Sequence, residues 1–147
     1  MERDEALTRL RSARVGRLAT LTPEGKPHVV PFVFVVTDRG SATRLYWMVD
    51  EKPKRSKELQ RLRNIEHQPA VELVVDEYDE DWDTLWWVRA RGTARVVVET
   101  DERDVALGLL RAKYPQYEST DDPGLVVAIE VDVITGWESE AGSAEQE

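Results

Sequence analysis

Residues 15–36 read VGRLATLTPEGKPHVVPFVFVV, and the fold turns on how this stretch is parsed. Residues 15–21 read as a strand, and Thr22-Pro23-Glu24-Gly25-Lys26 then brings proline and glycine together as a tight turn does. Residues 27–36 are almost wholly apolar and β-branched or aromatic, so a second strand returns beside the first and the two form a hairpin. Pro31 lacks a backbone N–H, which places that part of the strand at an edge or bulge where backbone groups are free to face a ligand.

Toward the N-terminus, Ala6, Leu7 and Leu10 recur at helical spacing among charges, predicting a short amphipathic helix over residues 2–12. Toward the C-terminus, polar residues 37–41 lead into Leu45-Tyr46-Trp47-Met48-Val49, a third strand, and three consecutive strands predict a meander. A loop over residues 51–56 feeds a helix bearing Leu59, Leu62 and Ile65, with Ser56 as its N-cap and Pro69 ending it. Val71, Leu73 and Val75 mark a fourth strand over residues 70–78, and residues 85–98 a long fifth, in which Gly92 predicts a bulge or bend. Thr100 or Asp101 caps a helix carrying Val105, Leu107, Leu109 and Leu110 that ends at Pro115, and residues 125–133 form the sixth strand. Six short antiparallel strands with three short helices predict a mainly β chain, a closed or partly closed barrel with helical additions. A length of 147 residues suits one core, so residues 1–137 are expected to form a single domain and the acidic tail 138–147 to be disordered.

Composition narrows the function classes. Hydrophobic residues at 41% make the chain too apolar for disorder, and the absence of cysteine excludes disulfides, thiolate metal sites and a cysteine nucleophile. A net charge of −9 repels nucleic-acid phosphates, so no nucleic-acid partner is expected. No apolar run approaches the roughly 18 residues a membrane span needs, and the charged start carries no secretion signal, so a cytoplasmic location is expected. The acids concentrate at Asp76, Glu77, Asp79, Glu80, Asp81 and Asp83, without the spacing or glycine of a calcium loop, so this segment reads as a solvated loop and no metal site is expected. His28 and His67 are the only histidines, and no nucleophile elbow, phosphate-binding loop or zinc motif occurs. No catalytic residue can be assigned. His28 itself is either a ligand contact or simply the start of a strand.

Against this acidity, Lys52, Lys54, Arg55, Lys57, Arg61 and Arg63 are opposed only by Glu58 over twelve residues. The first four fall where a strand passes through a loop into a helix N-terminus, whose free N–H groups already favour an anion. Lys52, Lys54, Arg55, Ser56 and Lys57 are therefore candidates for a phosphate or carboxylate site, the alternative being a solvated helix face that meets acids elsewhere. Trp82, Trp86 and Trp87 read as core or interface anchors, with stacking on a cofactor ring as the alternative, and Trp137 as a plug for the barrel.

The segments 15–21 and 23–31, followed by Tyr46, Lys52, Lys54, Lys57, Leu59, Asn64 and Pro69, resemble the pyridoxamine 5'-phosphate oxidase-like, split-barrel flavin-binding superfamily. Within it the chain looks most like the deazaflavin-dependent oxidoreductases of actinobacteria, which use coenzyme F420. The resemblance spans residues 7–137 and implies a six-stranded antiparallel split β-barrel that dimerises, with a cofactor site in each cleft between subunits. It implies further that Lys52, Lys54 and Lys57, with Arg55 and Ser56, hold the coenzyme's phosphate. Val30, Pro31 and Phe32 would lie along the ring, Ala19 and Thr20 on the neighbouring strand, and Trp87 near the cleft. The implied chemistry is hydride transfer from F420 to a small, conjugated acceptor. An FMN-dependent oxidase or reductase is the alternative on the same barrel, as is a non-catalytic flavin-, deazaflavin- or haem-binding protein. If charge drives coenzyme capture, affinity falls as ionic strength rises and Lys57→Ala flattens that slope; an unchanged slope, in titrations across a salt series, would place the anion elsewhere.

Overall fold

The computed structural model describes residues 1–39, 42–49, 56–118 and 124–140, with the side chains of residues 39 and 56–59 outside that description. The hairpin forms as predicted. Strands β1 (Gly16–Leu21) and β2 (Pro27–Phe32) run antiparallel with Leu18 opposite Val30, and Gly25 turns the chain at φ 82°, a conformation open to glycine without steric cost.

The apolar run then does something that its composition conceals. It stops at Phe32, and after Val33 and Phe34 a separate strand β3 (Val35–Arg39) begins. With β4 (Ala42–Val49), β5 (Ala70–Glu77), β6 (Trp86–Val96) and β7 (Leu125–Glu138), the sheet has seven strands, not six, in the order β2-β1-β5-β6-β7-β4-β3. The expected meander is corrected as well, because β4 pairs with β3 and β7 and leaves β2 to β1. The reason lies in two adjacent residues. Phe34, fully buried, stacks on Phe32 at 4.9 Å inside the barrel, whereas Val35 packs with Tyr46 in a second cluster on the outside. Phe34 and Val35 are both buried, and the exposed outward residues of β2, Val29 and Pro31, are apolar too, so no polar alternation marks where the run changes sides.

This topology forces the sheet to curl. Strands spaced about 4.8 Å apart would put the edges of a flat seven-stranded sheet about 29 Å apart, yet the three virtual bonds from Phe32 to Val35 span at most about 11 Å. No ladder joins β2 to β3 among the described residues. The result is a split barrel: edges brought together by the chain and left unpaired.

Helices fill the openings. From α1 (Arg3–Ser12), Ala6 and Leu10 enter the barrel core, as do Leu62 and Ile65 of α2 (Ser56–His67). In α3 (Thr100–Lys113), Ala106, Leu107 and Leu110 cover the outer face of β3, β4 and β7. The N-cap of α3 is Glu99 rather than Thr100 or Asp101, and it makes no side-chain cap bond. Gly92 sits at the predicted irregularity: the β6–β7 register slips between Arg91 and Gly92, and a Cβ there would collide with the Glu130 carbonyl. Strand β7 continues to Glu138, opposite Trp86, and residues 141–147 of the expected tail lie outside the described ones. Trp137 does not plug the barrel. Gly136 faces Met1 and Ala6, so the pleat turns Trp137 outward, 6.4 Å from the Tyr78 ring. Among the described residues no helix is long and apolar enough to cross a membrane.

The crossing at Phe34 is secured from the end of α3. Its N–H donates to the Tyr114 hydroxyl at 3.2 Å, whose own proton is shared between the carbonyls of Arg14 at 2.9 Å and Phe34 at 3.0 Å. Beside it the Lys113 ammonium donates to the carbonyls of Ala13 and Phe34, both at 2.8 Å, and lies 4.6 Å from the centre of the Phe34 ring. Burial, with the nearby charge of Arg14, lowers the Lys113 ammonium to about 8. Because the unfolded chain then binds more protons between about pH 8 and 10.5, this group makes stability rise with pH across that window. Tyr114→Phe leaves the buried Phe34 N–H without an acceptor and is expected to cost about 1–3 kcal/mol in urea unfolding; an unchanged midpoint would show that the crossing stands without it.

Candidate functional site

The pleat divides the side chains of the curled sheet. Leu18, Leu73, Val88 and Ala90 point into the core, so their neighbours Ala19, Glu72, Arg89 and Arg91 point outward. Under the buried stripe of α3 the outer face is apolar; over β2, β1, β5 and the far end of β6–β7 no described helix covers it. There the pairing register lines up one transverse row, Val29–Ala19–Glu72–Arg91–Val133, across five strands. Val29 and Val133 are exposed at 61% and 48%. A cleft of about 350 Å³ follows this row, lined by Ala19, Thr20 and Pro27 from one hairpin and Ala70, Glu72 and Arg91 from the other. Arg91 Nε donates to Glu72 at 2.8 Å, and Arg89 approaches the same carboxylate at 3.9 Å.

Among the sequence-predicted site residues, Ala19 and Thr20 line the cleft. Thr20 is buried, and its hydroxyl accepts from Asn64 Nδ2 at 2.9 Å, while Asn64 Oδ1 accepts from Gln60 at 2.8 Å. This fully buried amide pins α2 to β1. Ser56 and Lys57 open α2, and eight residues of helix put Ser56 about 12 Å along the axis from Asn64. Lys52, Lys54 and Arg55 lie outside the described residues. Val30, Pro31 and Phe32 do not share one face: Pro31 is exposed and outward beside Val29, Val30 is half-buried and inward, and Phe32 belongs to the core. Trp87 is outward, opposite Trp137 and Asp76 and 5.2 Å beneath the Arg89 guanidinium, at the far end of the open face from the cleft. His28 pairs across from Thr20, half-buried, with Nδ1 lacking a partner among the described residues.

Glu72 and Arg91 were not singled out by the sequence. As charged residues in alternating strands they carry the ordinary signal of a solvated face, and only the strand register sets them beside Ala19.

A second cavity, of about 500 Å³, lies where β4 and β6 meet the start of α3. Both of its arginines are paired with carboxylates. Arg95 grips Glu102 in a bidentate pair at 2.7 and 2.8 Å and also meets Glu130 at 2.9 Å; Arg44 contacts both carboxylates, and the Tyr46 hydroxyl donates to Glu102 at 2.7 Å. Two guanidiniums are matched by two carboxylates within this cluster, which ties α3 to the sheet, and Glu99 and Asp101 add two further acids to the lining.

The sequence matches the model of the pyridoxamine 5'-phosphate oxidase family over residues 3–138. The chain belongs to that family, and its fold is the family's split barrel. No curated protein matches it. Among solved structures, a conserved protein of unknown function from Corynebacterium diphtheriae is 25% identical with a TM-score of 0.71, covering 92% of this chain and 93% of its own. An FAD-binding protein from Mesorhizobium loti is 22% identical, TM-score 0.68, covering 92% and 94%. Another from Mycobacterium smegmatis is 23% identical, TM-score 0.64, covering 93% and 94%. At these identities the last two share the fold.

The Arg95 guanidinium holds the Glu102 carboxyl down to about 2, against a smaller opposing effect of burial. A depressed carboxylate contributes stability that is present above its unfolded value of 4.5 and is lost as pH falls toward 2. Glu102→Gln is therefore expected to flatten the fall in melting temperature between about pH 4.5 and 2, and an unaltered acid limb would assign that fall to other groups.

Proposed function

We propose that the protein is an oxidoreductase that binds coenzyme F420 on the open sheet face and works as a homodimer. The observation that supports this most is the cleft over Ala19 and Thr20, with the exposed Arg91 at its rim on a chain of net charge −9. The residues suit such a coenzyme. Small apolar side chains at Ala19 and Pro27 admit a flat ring, Arg91 offers a charge to its polar edge, and the start of α2, tethered to β1 through Asn64, offers free backbone N–H groups to a phosphate. Bound there, the coenzyme would supply hydride transfer to a small conjugated acceptor. The chain's own part is to orient the ring, exclude water and set the local charge. Val29, Pro31, Val133 and Trp137 leave the same face apolar and uncovered, which suits a second copy closing over the cleft. FMN is the second reading, favoured by the two fold relatives described as FAD-binding.

Parallel fluorescence titrations with coenzyme F420 and FMN test the assignment, with a Lys52/Lys54/Lys57 triple alanine variant as control. Tight F420 binding that the variant loses is the expected result. A preference for FMN would move the protein to the flavin reading, and binding of neither would end both.

A further inference from the structure

Arg91 and Glu72 line the cleft, and a second arginine, Arg89, stands just beyond it on the same strand. Arg91 is paired with Glu72 at 2.8 Å and Arg89 reaches the same oxygen only at 3.9 Å, so this point of the face carries one positive charge in excess. Arg91 belongs to the row that contains Ala19, two strands or about 10 Å away. Its side chain is 62% exposed, and Glu72 takes one edge of the guanidinium, leaving donors free for a second acceptor. The buried Asn64–Thr20 contact fixes β1, and the β5–β6 ladder fixes Glu72 against Arg91, so the pair sits on rigid elements rather than on a loop.

We propose that Arg91, opposed by Glu72, sets how strongly the cleft prefers the reduced form of its coenzyme over the oxidised form. This rests on the reading of the cleft as the ring site. For FMN, a neutral isoalloxazine ring that takes up two electrons and one proton gains one negative charge. A fixed cation at the rim stabilises that state over the oxidised one, more so once a second subunit excludes water. Glu72 acts in the opposite sense, both by its own charge and by holding Arg91 to itself. The pair is thus a specificity device for oxidation state, separate from the phosphate site at the start of α2.

The test is a set of anaerobic titrations of the full-length protein with FMN and with coenzyme F420, each in its oxidised and its reduced form. Dithionite reduces the FMN and borohydride the F420. The readout is the ratio of oxidised to reduced Kd. For FMN, Arg91→Gln is expected to lower this ratio about tenfold, which for a two-electron couple equals a shift of about 30 mV toward a more negative potential. Glu72→Gln is expected to raise it. Arg91→Lys, which keeps the charge, should stay within about threefold of wild type. Arg91 is exposed, so melting temperatures should not change. An unchanged ratio in Arg91→Gln, with coenzyme still bound, overturns this inference and leaves the proposed function standing. Failure of the wild-type protein to bind either coenzyme in either state overturns both.

Discussion

The two-residue link between β2 and β3 is the constraint on which the rest depends. It joins strands at opposite edges of a seven-stranded sheet, so that only a curled sheet satisfies the chain. Curling puts Leu18, Phe34, Trp47, Leu73 and Ile129 inside one closed core. It also leaves the backbone of the link with no ladder partner, and buried backbone groups must find partners elsewhere. Tyr114 and Lys113 supply them from the end of α3. That helix has to pack on the outer face of β3, β4 and β7 for its last turn to reach Phe34. The cover on one half of the outer face and the closure of the barrel are therefore one arrangement.

What α3 covers decides what is left open. Its apolar stripe meets Val35, Tyr46, Val126 and Ala128, and its first turn brings Glu102 to Arg95. The other half, from β2 across to the far end of β7, receives no helix on its outside among the described residues, because α1 and α2 contribute to the interior. An apolar row with an ion pair in it is exposed there for a structural reason, and that is the half in which the cleft lies.

Much of this was legible in the residues. Gly25 and Pro23 announced the first turn, Gly92 the bulge, and the alternation of Val71, Leu73 and Val75 the fifth strand of the final count. The division of residues 27–36 was not legible, because Phe34 and Val35 enter different apolar clusters and nothing polar stands between them. Trp137 was misjudged for a related reason: burial is a matter of pleat phase, and the glycine before it, not the tryptophan, faces α1. Of the site, Ala19 and Thr20 could be reached by resemblance. The partnership of Arg91 and Glu72 depends on a register between β5 and β6 that no local pattern specifies.

Charge shows why local geometry outweighs composition here. The chain as a whole would repel an anion, and its densest acids, residues 76–83, run from the end of β5 into the loop that joins the two strands forming the cleft's rim. Yet five residues of extended β6 separate Trp86 from Arg91, about 17 Å, and at physiological ionic strength the screening length is about 8 Å. The acidic loop is largely invisible from the cleft. At the cleft Arg91 stands against Glu72, with Arg89 just beyond them, two charges on one. At the other cavity Arg44 and Arg95 meet Glu102 and Glu130, two on two. The same residue types stand on one sheet with opposite consequences: the balanced set holds a helix, and the unbalanced one leaves a cation free to hold something else.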